Sequence, residues 1–371
     1  MSVSLTLLYS PQVCLSKCYL GSLLAAWVTF GTRNYASDWA WRIPSIAQIA
    51  IPVAAAVGYL WAPESPRWLA SKGRMEEARA FLVKYHAGGD DKSPLVEYEL
   101  EEIRATIAQE QELKATTSYA DMLRGKGNRH RTLISVTIGV FAQWNGVGIV
   151  SYYLAPVLLS IGITSVTEQT MISGFLQVWN LILAVGAAFS VDRLGRRPLF
   201  LASCTGMLAS YIVISGLSGS FANTGHASIG TAVIPFLFLF YGFYDIAFTP
   251  LLVSYTCEIW PYNLRARGLA VTLISTQLAI FFNIFVNPIA LQAIQWKYYI
   301  VYVVILIIIT ATIYFFYPET NGHSLEEMAR IFDGENAAVP KEGRIRESIA
   351  ERGGSIGGDV KRKGIAQVEK L

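Results

Sequence analysis

Charged residues cut this chain into long apolar intervals: 1–16, 18–32, 43–63, 132–167, 169–191, 198–244, 246–257, 268–296 and 298–318 contain no Asp, Glu, Lys or Arg. A helix that crosses about 30 Å of hydrocarbon at 1.5 Å per residue needs about 20 apolar residues. Lipid offers a free peptide group no partner, so such stretches are helical. The interval 198–244 is too long for one crossing and carries the polar stretch 216–230, so it splits in two. The pattern predicts eight spans, at roughly 6–30, 43–62, 133–160, 170–190, 198–216, 231–255, 268–291 and 298–317.

The polar segment 63–131 has a different periodicity. Residues 74–86 read as an amphipathic helix with Met75, Ala78, Phe81 and Leu82 on one face. A second helix, over about 96–113, carries a stripe of Val96, Leu100, Ile103 and Ile107, with Glu97, Glu99, Glu101 and Glu102 turned away. Gly88, Gly89 and Pro94 separate the two. The expected organisation is a two-span segment (1–62), a helical insert (63–131), a six-span bundle (132–317) and a tail (318–371) that is Gly-rich, mixed in charge and disordered after about 333.

Composition agrees: 53% of the residues are hydrophobic and only 15% charged, against about 25% in a soluble domain. The net charge of +3 hides a strong asymmetry. If 63–131 is cytoplasmic, alternation places 191–197, 258–267 and the C-terminus there too, and these segments hold 26 of the 30 Lys and Arg residues. No basic patch interleaved with aromatics suggests nucleic acid. Cys14 and Cys18 lack the companions of a metal site, and with Cys204 and Cys257 they read as apolar packing residues. The N-terminus shows no cleavable signal pattern. His86, His130, His226 and His323 lie in polar loops and read as solvated surface residues, there is no P-loop, and nothing converges as an enzyme's or a primary pump's site would.

Two regions repeat. Trp41-Arg42 precedes a span that ends in Pro63-Glu64-Ser65, Trp296-Lys297 precedes one that ends in Pro318-Glu319-Thr320, and 23 positions separate Trp from Glu each time. Related repeats with a substrate site between them are the sign of a transporter. Acidic and basic residues cluster at equivalent span ends: Glu64 with Arg67, Asp192 with Arg193, Arg196 and Arg197, and Glu258 with Arg265 and Arg267. Such charges either anchor the spans at the headgroups or, together with Glu319, form an ion-pair network that opens and closes.

Pro63-Glu64-Ser65-Pro66-Arg67-Trp68, Asp192 to Arg197, Glu258 with Arg265 and Arg267, and Pro318 to Gly322 resemble the signature motifs of the sugar porter family of the major facilitator superfamily. Phe141 to Gly146, Ser151 to Leu154, and Asn287 to Leu291 before Trp296-Lys297-Tyr298-Tyr299 are similar to its fungal lactose-permease-like subgroup. The match covers roughly 21–333. It implies an all-α, polytopic membrane protein with a major facilitator fold, in which the eight spans are helices five to twelve and the first four of twelve are lacking. The first 20 residues are unlike the family's approach to helix five, which leaves a misjudged gene start or a true truncation as readings. The resemblance further implies alternating access, a sugar substrate, proton symport, no cofactor and no metal, in the plasma membrane. It leaves oligomeric state open. In proton-coupled members the coupling carboxylate lies in helix one.

A sugar asks for amides that donate and accept and for aromatics that cover the ring. By resemblance, Gln143 matches the second glutamine of the helix-seven pair, where the first is Ala142; Gly148 stands where the family usually has Asn, and Asn145 is a nearby substitute. These departures imply an altered sugar preference. Tyr152 and Tyr153 match outer-gate tyrosines, or belong to an interfacial aromatic belt. Asn180 matches a sugar-binding Asn, or makes a helix–helix hydrogen bond. The family's helix-ten Trp is Val253 here, with Tyr255, Tyr244 or Trp144 as replacements, and Pro250 interrupts the same helix. Gln277 and Asn283 are polar positions in the seventh span from which either can line the path. Asp245, the carboxylate within an apolar stretch, is a proton or substrate contact, or else sits near the outer end of its span within reach of water. Beside transport, a non-transporting sugar sensor or an inactive truncated transporter fits the same sequence, although a tail of about 40 residues is short for regulation.

Overall fold

The computed structural model describes residues 11–323 and 325–334, and these are helical with no strand among them. The expected disorder after 333 and the side chains of Cys14 and Cys18 fall outside the described residues. Helices form where the charge gaps place them, and six of the helical stretches among the described residues are long and apolar enough to cross a membrane. Helix α1 (Pro11–Thr32) and α2 (Trp39–Trp61) come first. The third span is split into α6 (Lys126–Trp144) and α7 (Val147–Ser160); α8 (Val166–Leu194), α9 (Arg196–Thr224), α11 (Val233–Ile259), α12 (Tyr262–Ile294) and α13 (Tyr298–Phe316) follow, with the short α10 (Ala227–Thr231) before α11.

Helix α9 is longer than the sequence pattern predicts. It runs through the polar stretch expected to be a loop and stops only at Gly225, which adopts φ 68°. The reason is packing: Ser215 and Ser218 are buried, and Gly219 lets the Trp296 ring approach so closely that a Cβ there would lie 3.0 Å from it. Small residues serve as interface in a bilayer, where apolar side chains alone give no preference for protein over lipid.

The six spans from α6 to α13 share one core. Helix α9 packs along α11 and α13, α6 along α12, and α8 along α11. Helix α1 joins this body on α8 and α11, while α2 leans on α1 and buries none of its residues.

The insert forms α3 (Pro66–Ser71), α4 (Met75–Tyr85) and α5 (Pro94–Thr116). Leu69, Ala78, Leu82, Val96 and Leu100 close a separate small core, with Ile103 and Ile107 against it as the stripe requires. Arg79 of α4 bridges to Asp91 and Glu97, and His86 to Glu99 at 2.7 Å, so His86 is a tie between helices as well as a surface residue. After the last span, α14 (Leu325–Asp333) folds back on α6. Met328 and Phe332 are buried there, and Arg131, 1% exposed, donates to Asp333 at 2.8 Å, to the Ile259 carbonyl at 2.9 Å and to Asn128.

Candidate functional site

A cavity of about 320 Å³ opens where α1, α6, α7, α8 and α11 meet. Its polar lining comes in pairs spaced three or four residues apart, the spacing that puts two side chains on one helix face. Tyr19 and Ser22 come from α1, Gln177 and Asn180 from α8, Tyr241 and Tyr244 from α11. Gln143 at the end of α6 and Ser151 and Tyr152 of α7 complete the wall with Val147.

The break between α6 and α7 positions that wall. Gly146 adopts φ 99°, and a Cβ there would lie 2.4 Å from the Tyr211 hydroxyl, which donates to the Gly146 carbonyl at 2.9 Å. Both backbone and space therefore require glycine. Asn145 is buried and its Oδ1 accepts from the N–H of Val147, the first residue of α7, at 3.0 Å; it braces the break and is not part of the cavity lining. Asn283 likewise donates to the Gln143 carbonyl at 2.9 Å, satisfying an acceptor that the break leaves free. The Gly148 position is filled from α12, because a Cβ there would lie 3.0 Å from Asn283 Nδ2 and 3.4 Å from Asn287 Nδ2.

Of the residues expected to meet sugar, Gln143, Tyr152 and Asn180 come together in the cavity. Asn180 is 1% exposed and its Oδ1 has no partner, so one acceptor faces this region unsatisfied. The other four stand apart: Asn145 and Asn283 as braces, Tyr153 with its hydroxyl on the Ile284 carbonyl at 3.0 Å, and Gln277 exposed on α12. Sequence reasoning did not single out Tyr19, Ser22, Gln177 or Tyr241; the paired spacing of polar residues within apolar spans is the signal that marks them.

Asp245 is not near a span end. It lies in the middle of α11, fully buried. Its Oδ1 accepts from Tyr19 of α1 at 2.5 Å and from Thr249 at 2.9 Å, while Oδ2 has no partner. The carboxylate thus ties α1 to α11 directly behind the cavity tyrosines.

At the opposite, basic end of the body, Arg196 forms an ion pair with Glu258 at 3.0 Å and donates to Asn321 at 2.7 Å. Glu319 accepts the Arg196 and Arg197 backbone N–H groups at 2.8 and 3.0 Å and those of Thr320 and Asn321, thereby capping α9 from another segment. Partial burial alone would raise its pKa; these four donors outweigh that and hold the carboxyl below its usual range. Arg197 donates to the Tyr314 carbonyl at 2.7 Å, Arg267 to the Thr117 carbonyl at 2.7 Å, and Arg265 lies 6.0 Å over the Tyr262 ring. Arg193 is exposed, and the Asp192 side chain lies outside the described residues. Glu64 and Arg67 are exposed beside the insert, where Glu64 shares a surface groove with Arg74 and Glu77.

The model of the family described as "Sugar (and other) transporter" matches residues 13–332. This chain belongs to the sugar transporter family. The family member is 30% identical to the MFS-type transporter oryC of Aspergillus oryzae, over 86% of its own length and 60% of that protein's. It is 27% identical to the low-affinity glucose transporter HXT1 of Saccharomyces cerevisiae, over 93% and 61%. Among solved structures, the proton:xylose symporter XylE bound to 6-bromo-6-deoxy-D-glucose superposes with a TM-score of 0.61 at 22% identity, covering 87% of this chain and 66% of that one. The inward-open XylE structure from E. coli gives 0.64 at 24% identity, covering 85% and 63%. The sugar transporter family member therefore has the major facilitator fold and passes the membrane several times, and it spans about 60% of the length of these curated relatives.

Proposed function

We propose that the cavity between α1, α6, α7, α8 and α11 takes a sugar, and that the protein moves it across the membrane by alternating access with proton symport. The observation that carries this reading is the lining itself: three amides, two serines and four tyrosines around about 320 Å³, within the range of small-molecule sites. Such a wall offers donors and acceptors for ring hydroxyls and aromatic faces for the ring. Gln143, Gln177 and Asn180 would hold hydroxyls, Tyr152 and Tyr244 would cover the ring, and Asp245 behind them serves as the proton or substrate contact. The family relatives named for glucose, and the structural neighbour named for proton and xylose, support the same class. We place the insert, the 191–197 and 258–267 turns and the C-terminus in the cytoplasm on the distribution of Lys and Arg, and the protein in the plasma membrane on its likeness to sugar transporters. The Arg196–Glu258–Glu319 cluster then braces the cytoplasmic end and loosens as the site opens inward.

Uptake of labelled glucose, xylose and lactose into proteoliposomes that contain the 371-residue chain tests this reading. The expected result is saturable uptake of at least one sugar, accelerated by an inward proton gradient and lost in Asp245→Asn. Uptake equal to that of empty vesicles, by correctly inserted protein, would reject transport by this polypeptide.

A further inference from the structure

Away from the cavity, α9 and α13 leave a groove of about 460 Å³ on the side of the bundle. Leu201, Thr205 and Leu208 line it from α9, and Ile307, Ala311 and Tyr314 from α13. The Thr205 hydroxyl donates to the Leu201 carbonyl at 2.8 Å, and that of Thr310, also in the wall, to Leu306 at 2.7 Å. Both threonines therefore turn methyl groups to the groove, whose surface is apolar along its length.

One end is different. Arg197, in the first turn of α9, holds its guanidinium 5.5 Å from the centre of the Tyr314 ring and donates Nη2 to the Tyr314 carbonyl. Its Nε is buried and has no partner. The neighbouring carboxylate of Glu319 is occupied with backbone N–H groups, including that of Arg197 itself. A cation thus stands at the mouth of an apolar channel, at the end of the bundle where the basic residues gather.

The dimensions match one class of molecule. Arg197 and Leu208 are eleven residues apart, about 16 Å along a helix, which is the depth of one leaflet of a bilayer with about 30 Å of hydrocarbon. We propose that this groove holds an anionic phospholipid, with an acyl chain lying between α9 and α13 and the phosphate on Arg197. A sugar or a soluble anion has no use for the apolar length, and a zwitterionic lipid, whose own ammonium offsets its phosphate, gains less from the cation than an anionic one. Basic positions between membrane helices on the Lys- and Arg-rich side attract anionic headgroups in this way.

Native mass spectrometry of the purified chain in detergent, titrated with palmitoyl-oleoyl phosphatidylserine or phosphatidylcholine, tests the assignment. The serine lipid is expected to bind about fivefold more tightly, the factor one surface cation contributes. Arg197→Gln should remove that preference. Ala311→Trp, at an exposed position of the wall, should weaken both lipids while leaving helicity unchanged, and it stands as the test if Arg197→Gln fails to fold. Free glycerophosphoserine, which has the headgroup without the chains, should not displace bound lipid. Equal affinity for the two lipids, an unchanged lipid profile in the variants, or displacement by glycerophosphoserine would overturn the proposal.

Discussion

Helices α2 and α9 have the same mean hydropathy, 1.7 over their most apolar stretches, yet none of α2 is buried while α9 packs into the core along its length. What separates them is where the small and hydroxylated residues meet large ones. Helix α9 buries Ser203, Ser210, Ser215, Ser218 and Gly219, and its Gly206 admits the Phe243 ring of α11. Helix α2 also has a glycine, Gly58, but nothing lies within 4 Å of where its Cβ would be. Lipid tails are as apolar as leucine, so hydropathy tells which segments cross a membrane, and small residues against rings tell which segments pack together.

The sharpest way to break that contrast is to put the same side chain in both helices. A Cβ at Gly206 would lie 2.3 Å from Phe243, so Gly206→Leu is expected to destabilise the protein by about 3 kcal/mol, seen as a lower midpoint of thermal unfolding in detergent by tryptophan fluorescence. Next comes Asp333→Ala, which leaves Arg131 buried without its carboxylate. Because Asp333 is about a third exposed, the expected loss is about 2 kcal/mol, discounted from what a fully buried pair would show. The same melt reads it, with release of α14 followed by protease cleavage near residue 325.

A smaller effect belongs to Glu319, the cap on α9. Glu319→Gln should cost about 1 kcal/mol at neutral pH. The carboxyl's folded pKa lies below the ordinary 4.5, so its contribution is present above that value and fades as pH falls from 4.5 toward the depressed value. Melts across this acid range should show the loss in the unaltered protein and a flatter profile in Glu319→Gln. The smallest expected change is at Gly58→Leu, within about 0.5 kcal/mol of zero. A destabilisation there as large as at Gly206 would show that apolarity, and not close packing, holds these helices.

The same division marks what could be read in the sequence. The long apolar helices were visible as gaps between charges because hydrocarbon excludes charge everywhere alike, and the insert's stripe of Val96, Leu100, Ile103 and Ile107 was visible because it is local. The continuation of α9 beyond Gly216 was not, since the reason for it is Trp296, about 80 residues away. Gln143, Tyr152 and Asn180 were legible as polar groups in apolar spans. Asn145 and Asn283 looked identical by that criterion, yet one accepts the Val147 N–H at the start of α7 and the other takes the carbonyl freed at the α6–α7 break. Gln277 faces outward, and a polar type alone does not reveal its direction. Arg131 met no notice because its partner, Asp333, is 202 residues further on.

The account rests most heavily on the cavity as the sugar site, and equilibrium binding of labelled sugars to the purified chain and to two amide variants tests it directly. Asn180→Ala removes a buried cavity amide and should weaken binding about tenfold, whereas Gln277→Ala, at an exposed position outside the cavity, should leave it unchanged. Weakening in Gln277→Ala with full affinity in Asn180→Ala would contradict the account and move the site to the outer face of α12.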